Sequence, residues 1–71
     1  MRVYPTGANA RDVSGGEVTV KNVVEVYCLS TDSKPTDYVA DGSIAVEIDT
    51  GKVYFFNEAS EAWVEQFSFQ G

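Results

Sequence analysis

The chain has 71 residues, a single cysteine, Cys28, and no histidine, and nothing else in it limits the fold as strongly. One thiol cannot close an internal disulfide, and without histidine the usual zinc ligand sets cannot be assembled. A domain of about 60 residues buries only about 60% of the surface its unfolded chain exposes, so chains this short commonly rely on a staple or on association. With staples excluded, tight packing or a partner must hold the fold. The composition permits folding: 44% of residues are hydrophobic and 13% aromatic, unlike the depleted composition of disordered chains. This length supports one domain. Cys28, flanked by Tyr27 and Leu29, reads as a small buried hydrophobe.

Eleven acidic residues against five basic ones give a formal net charge of -6. Arg2, Arg11, Lys21, Lys34 and Lys52 are scattered singly, without the basic stripe of a nucleic-acid binder, so no nucleic-acid partner is expected. No apolar run approaches the roughly 20 residues that span a bilayer. The opening Met1-Arg2-Val3-Tyr4-Pro5 lacks the apolar stretch of a signal peptide. The expectation is a soluble protein of a reducing cytoplasm with no membrane partner. Every general acid or base would have to be a carboxylate, a tyrosine or a lysine, so no enzyme is expected and no catalytic residue is assigned. Glu47 reads as a solvated residue or one half of a weak cross-strand ion pair. Asp37 and Asp41-Gly42 match the first half of a calcium loop, but Val39 and Ile48 stand where two ligands are needed. No metal and no cofactor are therefore expected.

Pro5, Gly7, Asn9, Gly15 and Gly16 punctuate residues 1–16 densely enough to argue against a continuous strand. This segment reads as an N-terminal arm, either frayed or ordered on a neighbouring subunit through Val3, Tyr4 and Val13. Residues 17–71 then form the domain. Glu17 to Leu29 is rich in β-branched residues and reads as strand, with Asn22 as a bulge or a break. Val23, Val24, Val26 and Tyr27 are apolar on both parities, which suggests cover on both faces. Ser30 to Gly42 reads as a loop pinned by Tyr38 and Val39. Ile44, Val46 and Ile48 alternate with Ala45, Glu47 and Asp49, the pattern of a strand whose aliphatic side is buried.

Asp49-Thr50-Gly51-Lys52 then reads as a type I turn with Gly51 in the left-handed region, setting Val46 opposite Tyr54 and Ile44 opposite Phe56. The last strand places Trp63, Phe67 and Phe69 on one parity. The predicted fold is all-β, a small antiparallel meander or sandwich-like domain with a flexible or partner-bound arm. Phe55 and Phe56 cannot both enter one core. The aromatic set Tyr54, Phe55, Phe56, Trp63, Phe67 and Phe69 is thus covered by a second layer from residues 17–29, used as an interface, or used to stack sugars.

Lys34-Pro35-Thr36-Asp37, the strand opening Gly42-Ser43, the hairpin Glu47-Ile48-Asp49-Thr50-Gly51-Lys52-Val53-Tyr54-Phe55-Phe56 and the closing Trp63 together resemble a pattern found in small structural proteins of tailed bacteriophages. The resemblance covers roughly half the chain, and residues 1–29 lie outside it. It implies a non-enzymatic virion component, a head-decoration, head-fibre or tail-associated protein assembled in the host cytoplasm. Its partners would be further copies of itself or a larger phage coat or tail protein. Two other readings stay open: an acidic phage-encoded inhibitor of a host protein, and a carbohydrate-binding module using Trp63 or Tyr54.

Overall fold

The computed structural model describes residues 1–69; Gln70 and Gly71, which end the expected domain, lie outside the described residues. The chain is all-β. Its strands are β1 (Arg2–Ser14), β2 (Glu17–Cys28), β3 (Ile44–Glu47), β4 (Lys52–Asn57) and β5 (Ala62–Ser68). They form one sheet in the order β1-β2-β3-β4-β5. Three of the four pairings are antiparallel, as the short connections predict, but β2 and β3 run parallel. The antiparallel expectation fails there because residues 29–43 form a long crossover, and a connection of that length can return the chain to run alongside its predecessor. The sandwich alternative is also corrected. Residues 17–28 are a strand of the same sheet, and the covering layer on one face is the crossover.

The expectation that residues 1–16 avoid strand is overturned. Gly15 and Gly16 (φ 59° and 84°) form the two-residue turn between β1 and β2, where a pair of positive φ angles matches the twist of the flanking strands. The punctuation around Pro5 and Gly7 is absorbed by a bulge: the pairing jumps from Pro5↔Val24 to Asn9↔Asn22, so Thr6, Gly7 and Ala8 stand against Val23 alone. The Thr6 hydroxyl donates to the Val23 carbonyl (2.9 Å) and accepts from the Ala8 N–H (3.1 Å). Pro5 is tolerated because β1 is an edge strand. Beyond the bulge, the β1–β2 ribbon leaves Val13, Val18 and Val20 exposed, and the molecule is elongated, 43 × 21 × 17 Å.

β2 is unbroken at Asn22. Its backbone there pairs with the crossover, donating to the Tyr38 carbonyl (2.7 Å) and accepting from the Ala40 N–H (2.8 Å). Val39 is buried by this contact, but Tyr38 is exposed at a positive φ of 57°. Of the two residues expected to pin the crossover, only Val39 does so with its side chain.

The β3–β4 hairpin carries the most consequential correction. Gly51 is left-handed as expected (φ 73°), but its N–H bonds to the Glu47 carbonyl (2.8 Å). The loop is therefore Ile48 to Gly51, one residue longer than the predicted turn. That residue slips the register to Ile44↔Phe55, Ala45↔Tyr54 and Val46↔Val53, and a slip of one exchanges which side chains face each other across the pair. Ser43, Ala45 and Glu47 are buried, while Ile44 and Ile48 are exposed. The core is Val24, Val26, Cys28, Val39, Ala45 and Phe56, with Tyr54 and Trp63 packed against it. Cys28 is buried, as its apolar flanks predict.

Candidate functional site

Paired residues of neighbouring strands share a face of the sheet, so the registers sort every side chain onto one of two faces. One face, under the crossover, carries Val26 and Cys28 of β2, Ala45 and Glu47 of β3, Tyr54 and Phe56 of β4, and Trp63 of β5. Phe56 and Trp63 meet edge to face, with centroids 5.0 Å apart. The Trp63 indole N–H donates to the Pro35 carbonyl (2.9 Å), which ties the crossover to β5.

At the other end of this face, Glu47 is 4% exposed, which corrects the solvated reading. Its carboxylate takes a 2.7 Å hydrogen bond from the Lys34 ammonium and a 2.8 Å bond from the Thr50 hydroxyl. The Tyr54 hydroxyl bonds to it as well, and the Lys34 Nζ lies 4.3 Å from the Tyr54 ring centroid. The Lys34 bond holds the Glu47 carboxyl below its ordinary range; burial opposes this, and Thr50 and Tyr54 assist. Burial, and then the bond to Glu47, push the Tyr54 phenol up to about 12. Burial also raises the Cys28 thiol, which disfavours the nucleophilic thiolate. Ser43, fully buried, accepts from the Val24 N–H (3.0 Å), and its carbonyl accepts from Phe56 N–H (3.2 Å).

Lys34, Pro35, Ser43, Glu47, Thr50, Tyr54 and Trp63 all belong to the segment that carries the phage resemblance. Four of them are bonded to one another around Glu47, Pro35 to Trp63, and Ser43 to the neighbouring strands. They form a clasp that locks the crossover onto the sheet. This interior ion pair was not foreseen, although Lys34 and Glu47 stand in the same motif. Among the described residues there is no cavity and no cluster of three metal-ligating side chains.

The opposite face has no cover from the crossover, and two rows of side chains cross it. The first is Tyr4, Glu25, Ile44, Phe55 and Val64; the second is Arg2, Tyr27, Val46, Val53 and Phe67. Tyr4 and Tyr27 meet edge to face across β1 and β2 (5.7 Å), and Phe67 and Phe69 do so at the far edge (5.2 Å). Val53 is buried and Val46 half-buried, but Tyr4, Tyr27, Ile44, Phe55, Val64 and Phe67 are exposed.

The six aromatic residues singled out from the sequence therefore divide. Tyr54, Phe56 and Trp63 serve the locked face, whereas Phe55, Phe67 and Phe69 belong to the open side. The single parity read for Trp63, Phe67 and Phe69 fails because of a bulge in β5: pairing passes from Tyr54↔Glu65 to Val53↔Phe67, so Gln66 is the extra residue and everything after it changes face. The sequence singles out Tyr4 as an apolar anchor of the arm but does not mark Tyr27, Ile44 or Val64 as surface residues. For Tyr27 the signal was present, because it alternates with Val26 and Cys28. Comparison with protein-family models, curated proteins and solved structures finds no match to this chain.

Proposed function

We propose that the chain is a non-enzymatic structural and assembly protein of a tailed-bacteriophage particle, an interaction module that docks through its open sheet face. The resemblance of Lys34–Trp63 to phage structural proteins supplies the context. The observation that carries the reading is the contrast between the two faces: one is locked by its own crossover, the other presents rings and aliphatic side chains to water. Large exposed apolar patches on small proteins mark interaction sites, and aromatic anchors dominate the energetics of such interfaces. In this role Phe55 and Phe67 are anchors, and the clasp keeps the sheet rigid beneath them. Head decoration, head fibre and tail association are all served by this arrangement.

The two alternatives draw less support. The Trp63 ring meets Phe56 edge to face and its N–H bonds to Pro35, and Tyr54 lies beside Lys34, so neither ring is presented as a sugar platform. An acidic decoy needs a dense outward stripe of carboxylates, whereas Glu47, Glu58 and Glu65 are paired with Lys34, Lys21 and Lys52, and the two rows of the open face hold Glu25 as their one carboxylate.

Pelleting the purified chain with phage particles encoded beside it tests the proposal. Saturable co-sedimentation that is lost in Phe55→Glu is expected. A chain that stays in the supernatant at every particle concentration would overturn it.

A further inference from the structure

We infer that the open face is covered by a second copy of this chain, the two sheets packing face to face about a two-fold axis that runs across the strands, between the two rows. The inference rests on the interaction-module reading and names its partner.

Area is the first argument. Tyr4, Tyr27, Ile44, Phe55, Val64 and Phe67 are each 37–52% exposed. An aromatic side chain offers roughly 150–250 Å², so the four rings leave on the order of 350 Å² in water. With Ile44 and Val64 the face exposes on the order of 500 Å² of apolar surface, near the upper end for a monomer. A standard interface takes about 800 Å² from each partner, a little over half of it apolar. The face thus supplies the apolar share of one such interface, and its polar margin supplies the rest.

Charge is the second argument, and it selects both the partner and the register. The chain carries a net charge of -6, so two copies repel wherever their acidic surfaces meet. The two rows escape this, because they contain only Glu25 in the first and Arg2 in the second. The two rows together are therefore neutral. A two-fold axis along the strands would lay each row on itself in reverse order, with Glu25 over Phe55 and Arg2 over Phe67 and neither charge near its opposite. The proposed axis instead lays each first row on the second row of the other copy. Each Arg2 then sits over Tyr4 and beside Glu25 of the second copy. The arrangement is self-complementary, as a two-fold interface requires.

Sedimentation equilibrium of the full chain, with circular dichroism to confirm folding of each variant, tests this. The native chain is expected at twice 7.7 kDa at tens of micromolar. Phe55→Glu is expected to weaken association at least 100-fold. Arg2→Glu and Glu25→Arg should each weaken it about 10-fold, and the double swap should restore it, because opposite charges again meet. A native chain that stays monomeric at several hundred micromolar overturns the inference. So does a dimer indifferent to Phe55→Glu, which would place the contact on a sheet edge or on the β1–β2 ribbon. Single charge variants that associate as the native chain does, or a swap that fails to restore association, overturn the register. Particle binding is read separately: a monomer that pellets with particles refutes the dimer alone, and a dimer that ignores them refutes the phage reading alone.

Discussion

Phe55 and Phe56 are adjacent and chemically identical, yet Phe56 is 4% exposed and Phe55 45%. The two faces that they occupy differ less in composition than in what the chain does above them. Over one face the crossover supplies Val39 to the core, a carbonyl to Trp63 and an ammonium to Glu47. Over the other it supplies nothing. A sheet of this size buries one face with its own residues and leaves the rings of the second exposed.

The difference between the faces can be broken most severely at Phe56. Phe56→Ala removes a ring from a core of few residues and is expected to cost about 3–5 kcal/mol. A single core in a chain this short rarely supplies more than about 3–5 kcal/mol in all, so urea unfolding should find the variant largely or wholly unfolded.

Next comes the clasp. Lys34→Met leaves the Glu47 carboxylate buried without its cation, and loss of one partner of a buried pair costs about 3–5 kcal/mol. The same pair sets an acid limit. Because the folded Glu47 pKa lies below the ordinary 4.5, the unfolded chain binds more protons in that window. The stabilisation is complete above 4.5 and is lost as pH falls through the depressed folded value. At the alkaline end the sign reverses. The folded Tyr54 phenol is raised from 10.0 to about 12, so its contribution is present below the first value and disappears as pH rises through the second. Unfolding free energies measured across pH should show both limbs, with Tyr54→Phe flattening the alkaline one. An acid limb of equal size in Lys34→Met would separate Glu47 from the effect.

Gly51→Ala sharpens the register argument, since a side chain at φ 73° is expected to cost about 1–2 kcal/mol; thermal unfolding reads it. The smallest effect belongs to the open face. Below the concentration at which copies associate, Phe55→Ala should change the urea midpoint by no more than the equivalent of about 0.5 kcal/mol. A loss comparable to that of Phe56→Ala would mean that the two faces are not unequal.

Local signals were legible wherever a residue type answers a local backbone demand. The left-handed Gly51, the strands around Val18–Cys28 and Val53–Phe56, the buried Cys28 and the incompatibility of Phe55 with Phe56 all follow from neighbours in the chain. Gly15-Gly16 was equally local, but its strand-breaking reading outweighed its hairpin reading because Pro5 and Gly7 stand close by. The aliphatic alternation of Ile44, Val46 and Ile48 pointed to the wrong side of β3. Hydrophobic periodicity tells which residues share a face, not which face receives the cover. On the covered side of β3, Glu47 pairs with Lys34 of the crossover, and Ala45 shares that side.

By itself, then, the amino-acid sequence determined an all-β chain without crosslinks, the positions of most strands, the left-handed turn glycine and a surplus of apolar side chains over what one small core can hold. Each of these rests on backbone sterics or on simple counts. Tertiary structure alone decided that β2 and β3 run parallel, that one extra loop residue and one bulge distribute the rings between two faces, and that a lysine of the crossover buries a glutamate. Those outcomes depend on contacts between residues far apart in the chain, and no local pattern encodes which distant partner arrives.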